Sequence, residues 1–192
     1  MRTSIVFASL SLLAAAPAFA AGATYTIDPA HSAATFTVKH LAVSTVRGEF
    51  GKLTGTVELD RGNLRASKVE ATIDATTVNT REPKRDAHLK SPDFFDVAKF
   101  PTLAFKSTRL EPASGGRSKL TGDLTIHGVT KSVTFDVDPL SPDTKTPFGS
   151  TIVGTSATAH INRRDFGVTG GAAGALVGDD VSVTLDLELV KK

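Results

Sequence analysis

Apolar and polar residues alternate with a period of two along most of the chain. In the segment 53–59, Leu53, Val57 and Leu59 fall on one face, while the positions between them that fall on the other face carry threonine or glutamate. Such alternation is typical of a β-strand with one buried and one solvated face. The same pattern predicts strands over 68–74, 119–126, 129–137 and 181–189, and less regular ones over 32–38, 44–50, 102–108 and 151–161.

Turn residues separate these predicted strands. Asp60-Arg61-Gly62-Asn63, Ser114-Gly115-Gly116 and His127-Gly128 are short connections, and short connections join antiparallel neighbours. We therefore expect about eight or nine strands in one antiparallel, all-β arrangement. The pattern alone fits either a sandwich or a closed barrel. Closure leaves no exposed edge, and an eight-stranded barrel can enclose one small ligand.

The β pattern is interrupted between residues 80 and 100. The segment from Pro83 to Lys90 is predicted to be a short helix that has proline in its first turn. A second helix is predicted from Ser91, because serine is a good N-cap and Pro92 suits the first helical position. This short helical insert is expected to cover one end of the β domain.

The first twenty residues are typical of an export signal. Arg2 precedes an apolar run, and Ala18-Phe19-Ala20 fits an A-x-A cleavage site. The apolar run is shorter than the roughly 18 residues that span a bilayer. We expect residues 1–20 to be a signal peptide that is removed, and residues 21–192 to form one exported domain. That domain has no disulfide, because the chain has no Cys.

Composition narrows the functional classes. The formal net charge is only +2, from 22 Lys and Arg against 20 Asp and Glu, which argues against a nucleic-acid-binding protein. Eleven phenylalanines accompany one tyrosine and no tryptophan, so the aromatic surface has almost no hydrogen-bonding groups. The same shortage of Tyr and Trp disfavours an outer-membrane barrel, which carries girdles of them. An apolar ligand suits these side chains.

Several linked motifs resemble the YceI-like family. They occur in the family's order and spacing: HSAATFTVKH at 31–40, VRGEF at 46–50, RDAHLKSPDFFD at 85–96, FPT at 100–102, FKS at 105–107, GDLTIHGVT at 122–130 and INRRDFGV at 161–168. The resemblance extends from about Tyr25 to Val190. It implies a lipocalin-like barrel, export to the periplasm, and a polyisoprenoid or other long-chain lipid held in an elongated interior tunnel. It does not fix the head group of that lipid.

The candidate residues for binding a lipid tail combine apolar strand faces with the insert. We expect the tail to contact Phe36, Val38, His40, Phe50, Ile73, Leu89, Phe94, Phe95, Phe105 and Phe135. His31 and His40 bracket the first long strand and match the family motif; they could satisfy buried polar groups or donate a hydrogen bond into the tunnel. For the apolar residues the alternative is an ordinary packed core, and only a cavity between them favours the ligand.

Arg85, Asp86 and His88 place charge beside the phenylalanines of the insert. They are candidates for contact with a phosphate or quinone head group and for a gate. The alternative is a salt-bridge and capping network that holds the insert on the barrel rim, since Asp86 and Lys90 are spaced i,i+4. The same two interpretations are open for Arg163, Arg164 and Asp165, and there we favour the structural one.

Other chemistry finds little support in the sequence. The five histidines show no short metal-ligand spacing, so no metal is expected. The chain lacks a cysteine nucleophile and a G-x-S-x-G elbow. The glycine-rich stretch from Gly167 to Gly178 lacks phosphate-binding spacing and is expected to be a flexible loop or bulge near a barrel mouth.

The sequence therefore predicts a periplasmic binding or carrier protein, not an enzyme, with an isoprenoid lipid as ligand and no other cofactor. Transient contact with a membrane surface and a homodimer both fit the chain. The alternative is a periplasmic enzyme that acts on a lipid, or an electron-transfer accessory that binds a quinone. Transport, storage and stress protection are all consistent with lipid binding.

Overall fold

The computed structural model describes residues 22–171 and 176–192. Within these residues it contains eleven strands and one α-helix, α1 (Pro83–Lys90). The first six strands are β1 (Ala23–Ile27), β2 (Ala33–His40), β3 (Ser44–Phe50), β4 (Leu53–Leu59), β5 (Lys68–Asp74) and β6 (Thr102–Pro112). The other five are β7 (Ser118–Ile126), β8 (Val129–Val137), β9 (Thr144–Lys145), β10 (Thr151–Asn162) and β11 (Val177–Lys191).

The long strand β11 closes these strands into a barrel. One edge of β11 pairs with β2 and then with β1, and the other edge pairs along its length with β10. From β1 the order runs through β4, β5, β6, β7 and β8 back to β10, always antiparallel. The result is a closed eight-stranded barrel, to which β2, β3 and β9 are added. The barrel alternative is confirmed and the sandwich is excluded.

The two ends of the barrel differ. One end carries α1, the β2–β3 turn and the β7–β8 turn, and we call it the insert end. The other carries the β6–β7 turn and β9, and we call it the far end. Because β11 is 15 residues long, it reaches from the insert end at Val177 to the far end at Lys191.

Side-chain alternation sets which face of each strand points inward. In β4, Leu53, Val57 and Leu59 are buried, whereas Thr54 and Glu58 are exposed, as the period of two predicts. The predicted strand segments are all found, and the one predicted over 102–108 continues to Pro112 in β6. The apolar faces of the eight wall strands therefore converge on the barrel interior.

The insert contains one helix where two are predicted. Helix α1 confirms the first: Pro83 takes its first position, and Glu82 caps it by accepting a hydrogen bond from the Lys84 amide. The second helix, predicted from Ser91, is wrong, because residues 91–99 form successive turns. Asp96 has a φ of 44°, outside the helical region, and its amide donates to the Ser91 carbonyl at 2.9 Å, which folds the segment back on itself.

The predicted loop or bulge from Gly167 to Gly178 is described in part, since residues 172–175 lie outside the described residues. Before them, Gly167 has a φ of 73° and ends a 3₁₀ turn over Arg163–Phe166. After them, the register of β11 on β2 shifts between Val177 and Val181. That shift marks a β-bulge or another irregularity at the start of β11, at the end of the stretch where a loop or bulge is expected.

Candidate ligand-binding site

A cavity of about 440 Å³ runs through the inside of the barrel. Leu89 and Phe95 line it at the insert end, and Arg61 and Leu140 line it at the far end. Its volume lies in the range of sites that bind small organic molecules. The inward-facing side chains therefore surround a space and do not form a filled core.

The exposure of β11 side chains reflects this space. Four inward residues of the strand line the cavity and are only half-buried: Val181, Val183, Leu185 and Leu187. Both edges of the strand are paired, so this exposure comes from the cavity and not from an open edge. Nearer the far end, Leu189 also lines the cavity but is only 3% exposed, because it packs with Tyr25 and Val153.

The cavity lining is almost wholly apolar. Among the lining residues that the structure describes, the charged ones are Arg61, Asp138 and Arg163. Every buried side-chain nitrogen or oxygen in the described part of the chain has a hydrogen-bond partner. Burial of apolar surface is therefore the main interaction that this lining offers to a ligand.

Phenylalanine rings form two groups along the lining. Phe36 and Phe50 lie 5.5 Å apart between ring centroids, and Phe50 lies 5.6 Å from Phe95, so the rings connect β2 and β3 to the insert. Gly48 makes room for this group, because a Cβ there would lie 2.3 Å from the Phe36 ring. The second group is Phe105 and Phe135, whose centroids are 5.4 Å apart on the opposite wall.

The predicted tail-binding residues, with one exception, line this cavity. They are Phe36, Val38, Phe50, Ile73, Leu89, Phe94, Phe95, Phe105 and Phe135. The exception is His40, which is exposed at the end of β2, where it pairs with Ser44 and Val177. The expectation that His40 contacts the tail is corrected, because β2 continues past the rim and its last side chains face solvent.

Arg85, Asp86 and His88 do not belong to the described cavity lining. The Asp86 Oδ1 accepts hydrogen bonds from the Thr80 amide at 2.8 Å and the Thr80 hydroxyl at 2.5 Å. Arg85 donates to the same hydroxyl and to the Thr80 carbonyl, both at 2.8 Å. Thr80 is 4% exposed, so these bonds hold α1 onto a buried anchor. They support the structural interpretation, although the described residues form no Asp86–Lys90 ion pair of the expected kind.

Arg163 also has a structural arrangement. Its guanidinium donates hydrogen bonds of 2.7–3.0 Å to four backbone carbonyls. Two of them, at Val168 and Gly170, precede residues 172–175, and two, at Val177 and Gly178, follow them. Burial lowers the pKa of Arg163, while the Asp179 carboxylate, 2.9 Å away, acts in the opposite direction. Asp179 also accepts from Arg164 at 2.9 Å. The arginine pair therefore fastens the start of β11 to the end of β10.

The sequence gives no indication of the polar groups at the far end. Arg61 and Asp138 line the cavity there, and Arg61 Nη2 lies 2.6 Å from the Asp143 carboxylate. Arg61 belongs to a segment that the sequence predicts only as a turn. The residues that favour a turn do not indicate which other strand ends will lie beside it in the fold. The charged boundary of the cavity therefore lies at the far end. The sequence leads us to expect it at the insert end.

A second polar cluster lies outside the barrel, where β1 leads into β2. His31 Nδ1 is 2.9 Å from Asp28 and 3.8 Å from Glu188 of β11. Its hydrogen bond with Asp28, and the charges of Asp28 and Glu188, raise the pKa of His31, and the same hydrogen bond lowers the pKa of Asp28. Oxygen and nitrogen atoms of all three lie within 4.8 Å of one another. They do not line the cavity, and His31 is mostly exposed and does not satisfy buried groups.

The closed antiparallel barrel with one helix and an apolar interior defines a lipocalin-like barrel protein. Residues 25–189 match the YceI-like domain, and the chain belongs to that family. UPF0312 proteins are among its relatives. One from Vibrio vulnificus is 35% identical over 170 residues, covering 88% of this chain and 89% of the relative. One from Staphylococcus aureus is 38% identical over 169 residues, covering 85% and 95%.

Solved structures with the same fold include a YceI protein of Campylobacter jejuni. It is 30% identical, with a TM-score of 0.71 over 80% of this chain and 90% of that one. BcnA of Burkholderia cenocepacia has a TM-score of 0.76 at 24% identity, over 84% and 98%. A polyisoprenoid binding domain of Saccharophagus degradans has a TM-score of 0.63 at 17% identity, over 88% and 98%. At these two lower identities the likeness concerns the fold alone.

Proposed function

We propose that this protein binds a long-chain apolar lipid, of the polyisoprenoid class, inside its barrel and acts as a carrier and not as an enzyme. The observation that carries the proposal is the cavity of about 440 Å³, lined by apolar side chains from Leu89 at one end to Leu140 at the other. The likeness of fold to a polyisoprenoid binding domain adds support. We also propose that residues 1–20 direct export and that the protein works in the periplasm.

The energetics of tail burial suit a carrier. Each buried methylene contributes about 0.8 kcal/mol relative to water, so a twenty-carbon tail gains roughly 16 kcal/mol before ordering terms are subtracted. A tail in a bilayer is already in hydrocarbon, so its transfer into an apolar barrel changes the free energy by a small fraction of that value. Capture from water is then strong, while exchange with a membrane is reversible.

The insert is the proposed gate for the tail. Leu89, Phe94 and Phe95 line the cavity from the insert, and the Phe94 ring packs edge-to-face with His88, with centroids 5.0 Å apart. Hydrogen bonds to Thr80 hold α1 in place. Movement of the turns after α1 would open the insert end while the strands stay paired, so a tail could enter without breaking the barrel.

Native mass spectrometry tests the proposal. Protein purified without detergent is incubated with an isoprenoid quinone or a polyprenyl phosphate, and the intact complex is weighed. We expect one bound lipid per chain. The variants Phe36→Glu and Phe105→Glu, which place a charge in the lining, should lose most of this loading and keep the folded β signal in circular dichroism. Protein that stays empty with every isoprenoid offered contradicts the proposed function.

A further inference from the structure

Exposed apolar side chains are gathered at the insert end. Four large apolar residues are exposed among those that the structure describes, and three of them lie together: Leu41 at 48%, Val43 at 85% and Leu176 at 45%. The Leu41 amide donates to the Leu176 carbonyl at 3.0 Å, and Val43 ends the same turn as Leu41, so all three residues lie at one part of the barrel rim. We call Leu41, Val43 and Leu176 the apolar tip. The fourth, Phe148, lies at the far end, between β9 and β10.

The backbone conformation of the β2–β3 turn is one in which leucine and alanine are unexpected residues. Leu41 and Ala42 have φ values of 51° and 55°, and the Val43 amide donates to the His40 carbonyl at 3.0 Å, which is the pattern of a type I′ turn. Such turns favour Asn-Gly, because most side chains strain a left-handed backbone. The other non-glycine residues of the described chain with positive φ are polar or charged: Lys52, Arg81, Asp96 and His127. Strain that holds apolar side chains in solvent does not aid folding and points to a function.

Cations flank the apolar tip. Lys39 precedes the turn and Arg47 follows it, and both are exposed. No carboxylate of the described chain forms a salt bridge with either; the Lys39 ammonium donates to the Thr45 hydroxyl at 2.9 Å. Apolar side chains at a turn, with two cations on the outer face of the same hairpin, complement an anionic lipid surface, where head groups meet the cations and acyl chains meet the tip.

The tip also continues the cavity wall. Val38 lies three residues before Leu41, Val177 follows Leu176, and both valines line the cavity. A surface that receives the tip therefore meets the barrel at the end where the insert and the cavity lining come together.

We propose that the apolar tip inserts among the head groups of an anionic lipid bilayer and docks the insert end of the barrel on the membrane. The use of this contact for loading and unloading the tail rests on the proposed function, whereas the docking itself does not. Lys39 and Arg47 orient the barrel, and Leu41, Val43 and Leu176 enter the bilayer surface.

Vesicle co-sedimentation tests the docking, with vesicles that contain no isoprenoid. We expect the full chain to partition onto phosphatidylglycerol–phosphatidylcholine vesicles more strongly than onto phosphatidylcholine alone, by about five-fold for each of the two cations. Val43→Asp should lower the partitioning at least about ten-fold. The double variant Leu41→Asn with Ala42→Gly should lower it as well, yet raise the midpoint of thermal unfolding, because it relieves the strained turn. Loss of binding together with a gain in stability separates a docking role from a structural one.

Phe148→Asp is the matched control, since it makes the same kind of change at the far end and should leave partitioning unchanged. Equal losses of vesicle binding for Phe148→Asp and Val43→Asp overturn the proposal. It is also overturned if Val43→Asp and the double variant of Leu41 and Ala42 bind vesicles as the wild type does. A dimer in light scattering that Val43→Asp converts to a monomer also overturns it, in favour of a second copy of the chain on the tip. Loading of isoprenoid from dilute solution is measured in parallel. A wild-type chain that docks but never loads contradicts the proposed function alone.

Discussion

Arg163 joins four backbone carbonyls and one carboxylate at the insert end, and it is 6% exposed. Replacing it by Ala leaves those acceptors unpaired inside the protein, so we expect the free energy of unfolding to fall by roughly 3–5 kcal/mol. Arg164→Ala removes a half-exposed partner of Asp179 and should lower the free energy of unfolding by about 1 kcal/mol or less. Urea denaturation measures both values. Similar losses for the two variants would contradict the assigned role of Arg163.

His31 gives the fold a measurable pH dependence. Because Asp28 and Glu188 raise its pKa in the folded protein, its contribution to stability is fully present below the unfolded value of about 6.5 and is lost as pH rises through the folded pKa. The lowered pKa of Asp28 means that the same pair also weakens as pH falls below about 4. We expect His31→Gln to be less stable than wild type at pH 5 to 6 and equal to it at pH 9, measured as unfolding midpoints. A constant difference across that range would contradict the ion pair.

At the residue scale, the sequence predicts inward apolar side chains well and polar partners poorly. Phe105 and Phe135 could be placed on the lining because alternation fixes which face of a strand is apolar. His40 could not, since alternation does not tell where a strand passes the barrel rim. Asp86 pairs with Thr80, six residues earlier, and not with Lys90 at helical spacing. That choice depends on how the insert docks, which local sequence does not contain.

The insert is the element on which the gating hypothesis depends. Asp86→Ala leaves the buried amide of Thr80 without its partner, so we expect a loss of about 1–3 kcal/mol in stability. Hydrogen exchange over residues 80–100 should quicken, while exchange in β10 and β11 stays slow. Glu82→Ala, which removes only the exposed cap of α1, is the control and should change exchange in the first turn alone. Unchanged exchange in Asp86→Ala together with lost ligand binding would favour the head-group role.

The two halves of the insert show what local signals can predict about an element. Proline in the first turn and a capping residue are enough to specify α1, and the structure has that helix. The same signals at Ser91 and Pro92 do not produce a second helix, because Phe94 and Phe95 point into the cavity and Asp96 turns the backbone to a positive φ. Burial of two phenylalanines in the barrel outweighs a favourable start for a helix.

For the whole molecule, nine of the eleven strands and their antiparallel order follow from the period-two pattern and the short turns, whereas β1 and β9 are not predicted. Closure of the barrel does not follow from that pattern and those turns, because it depends on β11 pairing with β10 on one edge and with β1 and β2 on the other. Strands β1 and β2 lie more than a hundred residues before β11 in the sequence. The cavity depends on closure in turn, since the same apolar faces would fill a core in a sandwich. The family resemblance supplied that information where the residue pattern left both options open.

The central claim, that the interior of the barrel holds the lipid, is tested most directly by changing the same strand on its two faces. Ala71 of β5 lines the cavity and pairs with Phe105 on the neighbouring strand β6. The next residue, Thr72, points outward and is exposed. Phenylalanine at either position places the same ring on β5, inside the cavity for Ala71→Phe and outside for Thr72→Phe.

Native mass spectrometry with a polyprenyl phosphate then compares the loaded fraction of the two variants with that of wild type, after circular dichroism has shown that each is folded. We predict that Ala71→Phe reduces loading at least about ten-fold, because its ring occupies space that the tail needs, and that Thr72→Phe loads as wild type does. Full loading of a folded Ala71→Phe protein, or equal losses in the two variants, would contradict the claim that the ligand lies inside the barrel.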